Sequence, residues 1–263
     1  MSNRRIAITG LGCIAPNGNS VGAFWDALTS GISGLGHISR FDAGNLPSRI
    51  AGEVLEFAPE ARLSAKDLRR MDRVIQFGMI SGMEAFEDSG LDLSDEEREL
   101  SGVLIGAGIG GIETIEDTTR AMAGGQKKVS PFYIPSSIIN MVSGNLSIMY
   151  GYRGPNISIV SACATGTHNI GDSARMIMYG DADLMIAGGA EMATCPLGIG
   201  GFASARALCA SHNNDPEAAS RPFDLNRDGF VLGDGAGVLV LEEYEHAKTR
   251  SAKIYCEVVG YGM

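Results

Sequence analysis

The strongest constraint on this chain is a set of short segments that are apolar throughout rather than at alternate positions. Residues 5–9, 103–107, 157–160, 184–187, 238–242 and 254–259 read as strands, most of them of this kind. A strand apolar on both faces has to be covered on both, the condition of a central sheet between helical layers. Helical patterns fall between the runs. They occupy 21–30, with Ser20 as N-cap, then 64–89, 136–150, 165–179 and a short exposed stretch at 243–250. Strands alternating with helices predict a layered α/β architecture with a largely parallel sheet.

Glycine accounts for 36 of 263 residues, roughly double its ordinary share. The glycines gather at strand ends instead of forming a low-complexity tract, so they read as tight turns and close backbone approaches. No segment is apolar for long enough to span a bilayer. A net charge of −10 argues against general affinity for nucleic acid or an anionic membrane, while leaving room for a local basic patch. Cys13, Cys163, Cys195, Cys209 and Cys256 form no CxxC pair. That suggests neither a disulfide framework nor a zinc site and fits a reduced, cytoplasmic protein. The opening Met1-Ser2-Asn3-Arg4-Arg5 leads into a short apolar stretch and reads as the approach to a first strand, not a signal peptide. With no linker, charge run or repeat, residues 1–263 read as one domain. The strand at 254–259 has no helix after it to cover it, so the expected fold is unfinished.

Cys163 draws attention because a strand runs into Ser161-Ala162-Cys163 and a helix follows. Such a turn points a nucleophile into a cleft, where unpaired amides and the helix dipole favour thiolate and stabilise an oxyanion. A small buried core cysteine is the alternative reading, and spacing alone leaves both open. His168 is not expected to pair with Cys163, because five helical residues turn the chain through about 500°. It reads as a packed or hydrogen-bonded helix residue, and His37, His212 and His246 as surface residues.

Two glycine motifs imitate dinucleotide fingerprints, Gly10-Leu11-Gly12-Cys13-Ile14-Ala15 and Gly106-Ala107-Gly108-Ile109-Gly110-Gly111. Pro16-Asn17-Gly18 occupies the place of the helix the first one needs. Neither has an acidic residue closing a second strand about 20 positions on. Both are therefore read as tight turns, and no cofactor is expected. Asp224-Leu225-Asn226-Arg227-Asp228-Gly229 matches the first half of a calcium loop, but Gly235 stands where the bidentate glutamate belongs. Arg227 would also put a positive charge inside the loop. No metal is expected, and Asp/Arg pairing is the role assigned to this stretch.

Ser161-Ala162-Cys163-Ala164-Thr165-Gly166 resembles the active-site cysteine segment of the β-ketoacyl-acyl-carrier-protein synthases, the condensing enzymes of fatty-acid synthesis. Three more stretches agree in order and spacing. They are Ile8-Thr9-Gly10-Leu11-Gly12, Gly106-Ala107-Gly108-Ile109-Gly110-Gly111, and Ser220-Arg221-Pro222-Phe223-Asp224 running on to Arg227-Asp228-Gly229-Phe230-Val231-Leu232-Gly233-Asp234-Gly235-Ala236. The resemblance covers essentially the whole chain and is greatest to the type II bacterial enzymes. It implies a thiolase-like α-β-α fold, a homodimer, and Cys163 as the acyl-accepting nucleophile. It also implies Ile109 at the mouth of the acyl pocket, Phe202 lining it, and Ile134 reaching the pocket of a partner subunit. Its substrates arrive as acyl- and malonyl-loaded acyl carrier protein, which is small and acidic. Lys66, Arg69, Lys127, Lys128 and Arg206 are the candidates for a cationic face that would receive it.

In the family, decarboxylation of the malonyl unit depends on two histidines and a lysine in a second, structurally similar half. None of the four histidines here sits in a matching motif, so this chain is expected to be incomplete for condensation. Two other readings stand beside the enzyme. One is a non-catalytic fragment or subunit serving as a dimerising, carrier-protein-binding module. The other is a nicotinamide-dependent oxidoreductase, which the failed fingerprints make remote.

Overall fold

The computed structural model describes residues 4–263; Met1, Ser2 and Asn3, the start of the segment read as leading into the first strand, lie outside the described residues. The first part of the chain forms β1 (Ile6–Ile14), α1 (Val21–Thr29), β2 (Gly36–His37), β3 (Ile50–Ala51), α2 (Ala65–Leu68) and α3 (Arg73–Ser89). The middle forms β4 (Ser101–Gly106), α4 (Ile112–Ala123), α5 (Tyr133–Ser137), α6 (Met141–Tyr150), β5 (Asn156–Ile157) and α7 (Thr165–Tyr179). The last part forms β6 (Leu184–Glu191), α8 (Pro196–Ser204), β7 (Gly235–Glu243), α9 (Tyr244–Thr249) and β8 (Cys256–Glu257).

One sheet, ordered β5-β4-β6-β7-β1-β8, organises the molecule. Helices α3 and α6 cover one face, with Phe77, Ile80, Val142 and Leu146 packed on Val103, Ile186 and Val240. Helix α7 covers the other, placing Ala174 and Ile177 against Leu104, Met185 and Leu241. The expected layering is thus present, and the fully buried β4 is apolar on both faces as predicted.

The expectation of a largely parallel sheet needs correcting. Strand β4 pairs in parallel with β5 and β6, but β6 with β7, β7 with β1, and β1 with β8 are antiparallel. A parallel neighbour requires a crossover that returns the chain to the same edge. Between β6 and β7 the chain instead wanders through α8 and an irregular stretch, and re-enters the sheet from the opposite end. Strands β1, β4, β5 and β6 still share one direction, so their C-terminal ends gather on one side.

Local chemistry moved other boundaries. The helix expected over 64–89 breaks because buried Asp72 accepts from Val74 N–H at 3.0 Å, and so starts α3 afresh. The helix expected over 136–150 divides at Ile138, which is extended, giving α5 and α6. The terminal strand expected over 254–259 pairs only at Cys256 and Glu257. Gly10 and Gly12 lie inside β1 rather than in a tight turn. A Cβ on Gly12 would sit 1.9 Å from Ser81 O, and one on Gly10 2.1 Å from Ala85 O, so the α3 backbone rests directly on the strand. Among the described residues, no helix is long and apolar enough to cross a membrane.

His246 is not the surface residue expected. It is half-buried between Glu242, whose Oε1 lies 2.6 Å from Nδ1, and Glu97. Arg250 donates to both oxygens of Glu242 at 2.7 Å. Burial alone would raise the Glu242 carboxyl, but Arg250 and then His246 outweigh it and hold it at about 2. Conversely, the bond to Glu242 raises His246 above its ordinary 6.5.

Two predictions concern stability. Gly12→Ala should destabilise by roughly 3 kcal/mol or more, because backbone cannot yield to the new methyl. Gly82→Ala meets only the flexible end of Leu146, and roughly 1 kcal/mol of helix propensity offsets that clash. Urea denaturation of the two variants checks the contrast. For the ion cluster, the Glu242 contribution is present above its ordinary 4.5 and is lost as pH falls towards 2. The His246 contribution is present below 6.5 and is lost as pH rises through its raised value. Tm should therefore gain most from the cluster between 4.5 and 6.5. His246→Gln should remove the alkaline fall from that maximum in a pH series of melts.

Candidate functional site

The strand expected over 157–160 stops after Ile157, and the reason lies in two side chains. Ser158 Oγ donates to Ile105 O at 2.6 Å, replacing a ladder bond. Asn169, fully buried on α7, accepts from Ile159 N–H at 3.0 Å and donates to Ile159 O at 3.1 Å. The backbone is lifted off the sheet while its polar groups stay paired. Ser161 N–H then donates to Thr165 Oγ1 at 3.0 Å. Ala162 takes φ +52°, a left-handed conformation that costs an alanine energy. A single 3₁₀ turn over Ala162–Ala164 carries Cys163 into the start of α7.

Cys163 is consequently exposed, not a small core residue. It lines a largely apolar cavity of about 520 Å³ at the C-terminal ends of β1, β4 and β6, where open α/β sheets hold their ligands. Neither the 3₁₀ turn nor α7 has a side-chain cap or an acidic residue in its first turn. The 3₁₀ turn takes up the Ala164 and Thr165 N–H groups on Ser161 O and Ala162 O, and the N-terminal ends of both turns, with the positive end of the dipole, face the same space as the thiol. Close packing brings them there. A Cβ on Gly106 would meet Ile159 O at 2.5 Å, and one on Gly189 would meet Gly166 Cα at 3.1 Å.

Cys13 also lines the cavity, but burial, and then Glu84, push its thiol up to about 11. Burial pushes Cys195 up to about 12. His168 is the hydrogen-bonded helix residue expected, with its Nδ1 bonded to Ser161 Oγ.

Ile109 and Phe202 both line the cavity with Cys163. Ile109 is held at its edge by a residue the sequence reading missed. Glu191, ending β6, accepts from Ile109 N–H at 2.9 Å and Gly110 N–H at 3.3 Å. Its carboxyl is nevertheless raised, because burial outweighs those bonds. A carboxylate closing an otherwise apolar run was the available signal. Gly110, at φ +86°, provides the turn expected of this motif. Phe202 packs edge-on against Phe230 at 5.3 Å to build one wall. Asp234, also unrecognised, has a buried carboxylate 3.0 Å from Arg40 and accepts from Thr194 N–H. Ile134 does not line this cavity; it is exposed on α5.

The Asp/Arg pairing expected in residues 224–229 is not made between side chains. Arg227 donates to the Asp224 carbonyl at 3.1 Å, while Asp224 Oδ1 accepts from Asn226 N–H. Lys66, Arg69, Lys127, Lys128 and Arg206 are all exposed. Neighbouring Arg62, Arg73 and Arg120 are paired with Glu87, Glu113 and Glu116, whereas none of the five makes an ion pair among the described residues. The turn after Arg69 is tied to the segment following Lys128, with Arg70 stacked over Phe132 at 4.4 Å and its carbonyl accepting from Ser136 Oγ. Arg206 takes φ +54° just beyond α8.

The family described as Beta-ketoacyl synthase, N-terminal domain, matches residues 3–247. The chain belongs to the β-ketoacyl synthase family. Over its whole length it is 57% identical to the 3-oxoacyl-[acyl-carrier-protein] synthase 2 of Vibrio cholerae serotype O1, and 54% identical to the protein of that name from Coxiella burnetii. It spans 64% of the length of each. A β-ketoacyl synthase from Burkholderia phymatum STM815 superposes with a TM-score of 0.87 at 32% identity, over 98% of this chain and 63% of that one. The AntDE:AntF complex, a type II PKS acyl-carrier protein with its ketosynthase bound to the hexaketide, gives 0.86 at 32% identity with the same coverage. The thiolase-like layering implied by the sequence is therefore the family's fold.

Brief alkylation of the folded chain near neutral pH should modify Cys163 while leaving Cys13 and Cys195 intact, as read by peptide mapping. Asn169→Ala strands both polar groups of Ile159 and should cost roughly 2 kcal/mol or more in a denaturation series.

Proposed function

We propose that this chain carries the acyl-accepting part of a decarboxylating condensing enzyme that uses acyl carrier protein. The observation that carries the reading is an exposed thiol at the uncapped start of α7, opening on an apolar cavity. The Cys163 thiolate attacks the carbonyl of a carrier-bound acyl thioester, and helix-terminal N–H groups receive the developing oxyanion. Collapse of the tetrahedral intermediate expels the carrier's thiol, which takes up a proton and leaves the acyl chain on Cys163. Ile109, Phe202 and Phe230 receive that chain. Condensation would then consume a malonyl unit on a second carrier: loss of carbon dioxide gives a carbanion that attacks the Cys163 thioester and releases the sulfur. No histidine or lysine lines the cavity among the described residues, so the proton-transfer groups of this second step are assigned elsewhere in the synthase.

Residues 1–263 form, in this reading, the N-terminal synthase domain of a cytoplasmic homodimer. The edge strand β5 supports the dimer, because Ile157 in it and Val160 just after it are exposed, as are Ile148 and Met149 of α6. Ile134, 58% exposed, would reach into the pocket of the second subunit. The five unpaired cations supply a docking face for an acidic carrier on a protein of net charge −10.

Intact mass before and after incubation with a medium-chain acyl carrier protein tests the proposal. It should show one acyl adduct, mapped to Cys163 and absent in Cys163→Ser, without release of 3-oxoacyl product by this chain alone. A folded chain that binds carrier but stays unmodified would favour a non-catalytic docking module. Combined Lys66→Glu and Arg69→Glu should slow acylation from the carrier roughly tenfold by removing electrostatic steering. Acylation by a small uncharged thioester should be unchanged.

A further inference from the structure

Cysteine spacing suggested no zinc site, and the residues at 224–229 failed as a calcium loop. Folding nevertheless brings one member of that loop to a different place. Gly229 takes φ +127°, and a Cβ there would lie 2.5 Å from Leu208 C and 2.8 Å from Cys209 N, so only glycine lets the two segments run this close. Cys209 N–H donates to Phe230 O at 2.9 Å, and Phe230 N–H to Ala207 O at 3.0 Å. This pairing sets Asp228 over the turn that follows Cys209, where its Oδ2 accepts from Ala210 N–H at 2.8 Å and Ser211 N–H at 2.6 Å. The same turn carries His212, whose Nδ1 is 3.6 Å from Cys209 Sγ and 2.9 Å from Ser211 Oγ. One ligand atom from each of Cys209, His212 and Asp228 lies within 4.8 Å of the other two.

The turn is fixed from its far side by Asn213. Its side chain donates to Pro47 O at 2.8 Å and Ala210 O at 2.9 Å and accepts from Arg49 N–H at 2.7 Å. Its carbonyl lies 2.8 Å from His37 Nε2.

We propose that Cys209, His212 and Asp228 bind a divalent zinc ion, with water in the fourth position. Zinc–sulfur and zinc–nitrogen bonds of ordinary length at a tetrahedral angle place the two ligand atoms about 3.5 Å apart, and Cys209 Sγ and His212 Nδ1 already stand at 3.6 Å. The remaining closure falls to Asp228, an exposed carboxylate whose Oδ2 is held over the turn by the Ala210 and Ser211 N–H groups. One thiolate, one imidazole and one carboxylate suit zinc better than calcium or magnesium, which favour all-oxygen sets. Binding expels the Cys209 thiol proton to solvent and displaces the Ser211 hydroxyl from the ring. The site is separate from the nucleophile but lies behind it, because Phe230, bonded to Cys209, forms part of the cavity wall. Its role is to clamp that wall to the segment of β2 and β3.

Cobalt(II) titration of the metal-free chain tests this. One equivalent should produce a thiolate-to-cobalt charge-transfer band with tetrahedral visible bands, and zinc should displace it. Cys209→Ser should lose the charge-transfer band and His212→Ala the tetrahedral bands, while Cys163→Ser and Cys256→Ser keep both. His212→Ala alters a partly exposed turn residue, so its circular dichroism should match the parent. Zinc should raise the parent's Tm and leave that of His212→Ala unchanged. Absence of a stoichiometric cobalt spectrum would overturn the site, as would its survival in Cys209→Ser or its loss in Cys163→Ser.

Discussion

Where β5 ends, a side-chain amide takes over the hydrogen bonding that a neighbouring strand would otherwise provide. Asn169 binds both backbone groups of Ile159 and also donates to Thr165 O within its own helix. The chain can leave the sheet with its polar groups paired only because this amide reaches it from α7. The left-handed Ala162, the exposed Cys163 and the uncapped start of α7 all follow within a few residues. The glycines at 106, 166 and 189 serve the same arrangement by letting the helix start sit flush on β4 and β6.

One buried and one half-buried glutamate show how surroundings decide what a carboxylate does. Glu242 meets a guanidinium and an imidazole and stays ionised to about 2. Glu191 meets only backbone N–H donors, and burial raises it. The first ties β7 to α9 and to the end of α3, where Arg250 also donates to Ser89 O. The second holds a glycine loop in the shape that presents Ile109 to the cavity. Opposite charges at close range suit a structural tie, whereas neutral dipoles suit the edge of an apolar pocket.

The layers were legible because uniformly apolar runs state how many faces a strand buries, and residues 103–107 and 184–187 say so plainly. Thr165–Tyr179 was legible to the residue, since its pattern runs from a small-residue start to Gly180 in the left-handed conformation. Strand direction was not legible: apolarity carries no sense of polarity, and nothing within β7 distinguishes a parallel partner from an antiparallel one. Helix α8 was hidden by its glycines, one of which, Gly198, is required by a contact with Ala193 O. Of the site, Cys163, Ile109 and Phe202 came from motif resemblance. Asp234 and Phe230 became visible only when distant segments met, because each acts through partners far away in the chain, and Glu191 left only the faint mark of a carboxylate closing an apolar run.

The place of β1 in the sheet has a consequence for the order of assembly. Ile6 pairs with Glu243 and Ala7 with Glu257, so the first strand made is enclosed by two strands from the last part of the chain. During synthesis β1 and the glycine-lined seat of α3 must wait, without their sheet partners, until β7 and β8 have emerged. Contacts of such separation make folding slow and leave strand edges open to other chains meanwhile. The sheet edges that later support the cavity are thus the surface most exposed to misassociation before β7 and β8 arrive.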